Sequence, residues 1–408
     1  MVRVIDTDSH AVEAPDLWTS RMSKAKWGDD IPQVKWVPEM NADVWFVGDN
    51  PIMPVGFSVI EKGPAGEVVR NEENFPNFIT KVDEFHPSAW DPHERAKVMD
   101  DYGLDSAVLY PNLGFIGPDI YRVIEGSSLE FQVEIASTYN DWIRDWERAE
   151  PNKFISLACI PYWDVPSAVK EIERCAENGH HGYVMTGVPD AHGEPFLADP
   201  RWDPMWAAAE ATGLPISFHA GGGGGDVPIK LKNEHGQVIN VNPLQARRSV
   251  MGTDTTLAFT TCREFMRNGM TVAELLMSNI LPRFPELKFI SVESGIGWIP
   301  FVLESLDKHA KKYRVQREHP EYTELPSFYF HRQVYANVWY EHLSDYHMDV
   351  IGPDNLLFET DFPHPTCLVG DEIGEAIQIV TGALSEENRD KILWKNAERL
   401  FKVNTPVR

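Results

Sequence analysis

The chain has 408 residues, 43% of them hydrophobic, and its 62 acidic against 37 basic side chains give a formal charge of −25 and a pI near 4.9. A surface this acidic excludes nucleic acid and anionic membrane as natural partners, because both select basic faces. The four cysteines, Cys159, Cys175, Cys262 and Cys367, form no C-x-x-C pair, which excludes a disulfide framework and a zinc-finger pattern.

The first element is the stretch Val-Arg-Val-Ile-Asp-Thr-Asp-Ser-His at residues 2–10. A strand begins almost at once, no signal segment precedes it, and no apolar run reaches the roughly 20 residues of a membrane span, so a soluble cytoplasmic protein is expected. Side chains two apart on a strand share a side, so Asp8 and His10 should project together. A carboxylate and an imidazole so placed can grip one divalent metal; the alternative is a plain strand followed by a polar turn.

Residues 12–91 are irregular and rich in Pro, Trp and charge, with short hairpins predicted at Val44–Val47 and Val68–Arg70. A connection this long predicts an elaborated loop or lid. Asp91-Pro92-His93-Glu94 then reads as a helix start, with Tyr102-Gly103 as its end. A strand at 105–110 follows, and then a helix over 127–148 whose Phe131, Ile135, Tyr139, Trp142 and Trp146 repeat at helical spacing, a core-packing stripe. From there strands and helices alternate, with helices expected at 165–178, 199–212, 297–313, 345–350, 371–381 and 386–401. An insertion at about 221–255 interrupts them. Eight strands, near residues 2–8, 105–110, 154–160, 182–186, 214–219, 287–293, 333–338 and 355–360, predict a (β/α)8 TIM barrel with long loop insertions over its C-terminal mouth. The competing doubly wound sheet would carry a glycine fingerprint after an early strand. The whole chain, 1–408, is read as one such barrel.

The chemistry-bearing residues fall on strand ends. Asp8 and His10 follow strand one, His219 strand five and Asp361 strand eight. Two imidazoles and two carboxylates suit one divalent ion: Zn²⁺ first, with Mn²⁺, Fe²⁺ or Ni²⁺ as alternatives.

The stretches Ile5–His10, Pro215–Gly221, Phe358–His364 and Ile392–Ala397, in this order, resemble the amidohydrolase-related family, in the branch that includes aminocarboxymuconate-semialdehyde decarboxylase. The resemblance implies an eight-stranded barrel with one metal held by Asp8, His10, His219 and Asp361. Asp8 stands where the family pattern H-x-H has its first histidine. Strand six of the family ends in histidine; here Glu293 or Ser294 takes that place, and Glu293 is preferred because a carboxylate can still act as acid or base. Gly182–Thr186 has no lysine to bridge two metals, so a mononuclear site is expected.

His364 is expected to face the substrate or to serve its loop. Arg247 and Arg248 would meet a substrate carboxylate or form a solvated pair. The Gly221–Gly225 run reads as a hinge before a phosphate cradle, and His180 and His181 as structural. The leading expectation is a metal-dependent hydrolase acting on a small carboxylate-bearing or ring-derived substrate through a metal-activated water, with Glu293, Asp361 and His364 as catalytic groups. The alternatives are a metal-dependent non-oxidative decarboxylase of an aromatic or muconate-type acid, and a catalytically decayed barrel that only binds. Homodimers are frequent in the branch it resembles.

Overall fold

The computed structural model describes residues 2–55, 60–70, 79–112, 127–221, 229–232 and 236–404. Eight strands form its central sheet: β1 (Ile5–Ala11), β2 (Ser106–Pro111), β3 (Phe154–Cys159), β4 (Gly182–Val184), β5 (Ile216–His219), β6 (Phe289–Val292), β7 (Val334–Val338) and β8 (Leu356–Phe358). Each pairs in parallel with the next in chain order. Every residue of these strands is buried, as expected where helices cover one face of a sheet and the barrel interior fills the other. The sheet closes by a short seam: Ser9 bridges Phe362, the His10 N–H donates to the Phe362 carbonyl at 2.7 Å, and the Asp361 N–H donates to the Asp8 carbonyl at 2.9 Å. The expected (β/α)8 barrel is therefore the observed one.

The helices form for reasons visible in their ends. Helix α1 (Pro92–Tyr102) starts where the Asp91 carboxylate accepts from the Glu94 N–H at 2.9 Å, and stops at Gly103, whose φ of 79° is left-handed. In α2 (Leu129–Ala149), the predicted aromatic stripe is buried against the barrel. At roughly 1.5–3 kcal/mol per buried large side chain, that stripe outweighs any single cap. Helix α3 (Val165–Asn178) matches its predicted span.

Two spans differ from expectation. Residues 199–212 begin as a 3₁₀ turn (Pro200–Trp202) before α4 (Asp203–Thr212), because Pro200 and Pro204 cannot donate to a regular first turn. The closing helix widens into a π segment at Lys391–Lys395, which carries Asn396 inward to donate to the Pro353 and Leu356 carbonyls at 2.7 and 2.8 Å.

The connection after β1 holds a three-stranded antiparallel sheet (Gln33–Val37, Ala42–Val47, Asn50–Pro54) and a hairpin of Ile60–Lys62 with Val68–Arg70. Its Trp18, Trp45 and Phe85 join the same apolar core as the barrel strands. The arm after β5 carries a hairpin (Ile229–Lys232 with Val238–Val241), a helix at Pro243–Met251, and then α5 (Thr253–Met277). Of the Gly221–Gly225 run, residues 222–225 lie outside the described residues. Among the described residues no helix is long and apolar enough to cross a membrane.

His180 and His181 are structural, as expected. His180 lies between the Cys175 and Asn140 carbonyls, and His181 sets its Nε2 3.0 Å from Glu147 Oε1. Glu147 also accepts from the Ser156 N–H and hydroxyl at 3.0 and 2.6 Å. Burial would raise this carboxyl, but His181, Ser156 and Arg144 together lower it from 4.5 to about 2. A depressed folded-state pKa stabilises above the unfolded value and loses that stability as pH falls through the folded one. Glu147→Gln should therefore cost about 3 kcal/mol at pH 7, and the penalty should shrink between pH 4.5 and 2. Denaturant melts at pH 7 and pH 3 check this; equal penalties would count against the assignment.

Candidate metal centre

The strand ends bring the expected residues together at the C-terminal mouth. Asp8 and His10 lie within β1, because a register shift between Asp6 and Ser9 lets the strand continue to Ala11. His219 ends β5, and Asp361 follows β8. Asp8, His10 and Asp361 have no solvent exposure, and His219 is 4% exposed. The Asp8 Oδ1 stands 3.3 Å from both His10 Nε2 and His219 Nε2, and His10 Nε2 stands 3.2 Å from Asp361 Oδ1. His364 adds its Nδ1 at 3.1 Å from Asp361 Oδ1.

The imidazoles are oriented from behind. His10 Nδ1–H donates to the Pro111 carbonyl at 2.9 Å and His219 Nδ1–H to the Ala220 carbonyl at 2.9 Å. Both rings thus turn Nε2 towards the carboxylates, the arrangement that fixes a metal-ligating tautomer. Arg95, buried at the back of β1, donates to Ser9 Oγ at 2.7 Å, the His10 carbonyl at 2.8 Å and the Ser88 carbonyl at 2.6 Å. Burial lowers this guanidinium to about 9. Asp6 accepts from the Thr360 N–H and hydroxyl at 2.8 and 2.6 Å, which ties β1 to the residues leading to Asp361.

Glu293 sits beyond β6 in a left-handed conformation, φ 50°, with its N–H donating to Glu359 Oε2 at 3.2 Å. Its Oε2 lies 3.5 Å from His219 Nδ1, and Thr366 Oγ1 links Glu293 Oε1 (3.4 Å) with Asp361 Oδ2 (2.5 Å). Ser294, the other candidate for that position, bonds Ser291 Oγ at 2.7 Å and stays in the turn. Arg247 lays its guanidinium over Phe259 at 5.5 Å and Arg248 is exposed, both on the arm that follows β5. The donor cluster is gathered from other elements.

Four carboxylates, Asp8, Glu293, Glu359 and Asp361, therefore crowd one buried mouth. Burial, reinforced by the neighbouring charges, pushes Glu293 and Glu359 well above the usual carboxylate range. Burial would raise Asp8 and Asp361 too, but the imidazoles hold both below it. Against its own burial, Asp8 and then Asp361 push His10 up to about 10. Burial, with the nearby His10, lowers His364 to about 4. Despite the short distances, Asp8 Oδ2, His10 Nε2 and Asp361 Oδ1 are buried without an aligned hydrogen-bond partner. Hard and borderline donors, net negative charge and unpartnered buried atoms fit a divalent cation. Two overlapping triads, Asp8–His10–His219 and His10–Asp361–His364, have the compactness to hold one.

Sequence reasoning missed Arg95, Asn112, Glu359 and Thr366. Glu359 lies in the Phe358–His364 stretch already singled out, and Thr366 two residues beyond it. Arg95 and Asn112 carried no signal, since both act through hydrogen bonds between elements distant in sequence.

A histidine–carboxylate cluster at the mouth of a closed parallel barrel defines an enzyme of the amidohydrolase type. The chain belongs to the amidohydrolase family, whose model matches residues 5–403. A gamma-resorcylate decarboxylase of Polaromonas sp. (strain JS666 / ATCC BAA-500) is 23% identical over 317 residues, covering 76% of this chain and 87% of that one. Among solved structures, the amidohydrolase map2389c of Mycobacterium avium subsp. paratuberculosis K-10 superposes with a TM-score of 0.70 at 21% identity, covering 98% of this chain and 99% of that one. The 5-carboxyvanillate decarboxylase LigW of Sphingomonas paucimobilis gives 0.63 at 20% identity, with 99% and 100% covered. A dihydroxybenzoic acid decarboxylase of Polaromonas sp. JS666, solved with manganese and 2-nitroresorcinol, gives 0.59 at 18% identity, with 98% and 97% covered.

With His10 pushed up to about 10, the metal-free cluster holds a proton where a cation would bring its charge. Mn²⁺ binding near pH 8 should release at least one proton, because a ligating imidazole nitrogen must be bare and the cation also favours the ionised forms of Glu293 and Glu359. Calorimetry in buffers of different ionisation enthalpy measures this directly. A heat independent of buffer would argue against His10 as a ligand.

Proposed function

We propose that the chain is a divalent-metal-dependent, non-oxidative decarboxylase of an aromatic hydroxy acid. The observation that carries this is the convergence of Asp8, His10, His219 and Asp361 in one buried, carboxylate-rich mouth. The relatives above that are named for a reaction are decarboxylases of aromatic acids, which favours this alternative over the hydrolase that the sequence reading put first. The manganese in one of them favours Mn²⁺ over the Zn²⁺ expected from donor types alone.

Asp8, His10, His219 and Asp361 would hold the ion, which when bound supplies electrostatic stabilisation for phenolic and carboxylate oxygens of the substrate. The reaction itself needs a proton at the ring carbon that bears the carboxylate. Glu293 is the group we assign to give it; in support, its side chain is 16% exposed, where those of Asp8 and Asp361 are fully enclosed, so it borders the open side of the cluster. Burial and the surrounding carboxylates raise its pKa, while the charge of a bound cation would act against them. The proton passes from the Glu293 carboxyl to that carbon. The C–C bond then breaks, its electrons return to the ring, and CO₂ departs. The net change is one carboxylate exchanged for one hydrogen, and Glu293 regains its proton from solvent. Thr366 holds Glu293 and Asp361 at a fixed spacing during the transfer.

Protein loaded with Mn²⁺ should release CO₂ from 2,6-dihydroxybenzoate or 5-carboxyvanillate and leave simple esters and amides intact; ester turnover without decarboxylation would restore the hydrolase reading. Glu293→Gln should retain the metal and lower decarboxylation by roughly 10²–10⁴, the worth of one positioned acid. Loss of metal in step with activity would make Glu293 a ligand instead.

A further inference from the structure

The geometry points to His364 as a fifth protein donor to the same cation, one that is released when substrate binds. This rests on the metal-dependent reading above and adds a residue and a movement to it. The two triads share His10 and meet at its Nε2. That atom has a single lone pair, so the triads cannot each hold an ion through it, and one ion drawing on both would have five donors.

Three contacts hold His364 in position. Its ring stacks on that of His10, centroids 3.6 Å apart and planes 22° apart, so the two imidazoles present their edges side by side. Its Nδ1 lies 3.1 Å from Asp361 Oδ1, the oxygen that also stands 3.2 Å from His10 Nε2. Its far nitrogen, Nε2, donates to Asn112 Oδ1 at 3.1 Å. Asn112 is 3% exposed, and its own N–H is fixed by Glu13 Oε1 at 3.0 Å. A ligating histidine braced through its second nitrogen by a buried polar group is the usual support of a metal site.

Exposure separates His364 from the other four donors. Its side chain is 14% exposed, against 0% for Asp8, His10 and Asp361 and 1% for His219. A hard divalent ion takes about six donors. Five from the protein leave one position, whereas an aromatic acid offering a phenolic and a carboxylate oxygen needs two. The donor at the rim, on the loop beyond β8, is the one that can leave without opening the barrel. Asn112 gives the departing ring a partner on its far side.

Pulsed EPR of the Mn²⁺-loaded protein counts coordinated imidazole nitrogens. The expected result is three in the resting protein, from His10, His219 and His364, and two after addition of 2-nitroresorcinol as a substrate-like probe. His364→Ala should show two in both states, with the Kd for Mn²⁺ raised by about 10–100-fold. Two nitrogens in the resting wild type would overturn the fifth donor. Three in both states would overturn its release. Both results leave the decarboxylase reading standing, whereas a wild type that takes up no Mn²⁺ would overturn that reading as well.

Discussion

The constraint on which the structure turns is like charge in a small buried space. Asp8, Glu293, Glu359 and Asp361 cannot all be ionised side by side without positive charge among them. The fold answers this with two imidazoles whose outer nitrogens are tied to backbone carbonyls and whose inner nitrogens face the carboxylates. Most of the polar architecture around the mouth serves that arrangement. Arg95 fixes the backbone of β1 at the candidate ligand His10, Asp6 ties β1 to Thr360, and Thr366 spans Glu293 and Asp361. Arg95 and Asp6 are fully buried behind the donors and act on position and charge alone.

Much of this was legible in the sequence. The eight apolar runs announced a parallel barrel because a strand buried on both faces needs no alternation. The donors announced themselves because Asp8, His10, His219 and Asp361 each stand where such a run stops. What could not be read is instructive. The strand reading ended β1 near residue 8, whereas the register shift after Asp6 prolongs it to Ala11 and sinks both ligands inside it. A bulge leaves no mark on composition. Glu293 and Asp361 adopt left-handed backbone, φ 50° and 59°, which propensity argues against for non-glycine residues and which the surrounding hydrogen bonds over-determine. The choice between Glu293 and Ser294 likewise needed the turn itself, where Ser294 bonds within it and Glu293 reaches His219.

The long connection after β1 illustrates a second limit. Its hairpins were partly foreseen, but its attachment was not. The Val12 N–H donates to the Ala89 carbonyl at 2.9 Å, and Arg95 grips both Ser88 and His10. The insertion is therefore fastened at both ends to the strand that carries two of the candidate metal donors. Such fastening depends on contacts across some eighty residues of sequence, which no local pattern encodes.

The seam of the barrel gives this arrangement a mechanical meaning. Seven of the eight joints are strand ladders, whereas the last, between β1 and the residues beyond β8, is joined by one bridge and two backbone hydrogen bonds, with side-chain bonds at Asp6, Thr7 and Ser9 beside them. Those bonds belong to Asp8, His10, Asp361 and Phe362. Three of the candidate donors thus straddle the joint that lacks a ladder, Asp8 and His10 on one side and Asp361 on the other. An ion shared among them would work as a cross-link as well as a Lewis acid. Its removal would take away one tie across the seam, so the fastening of the barrel and the readiness of the site would be linked.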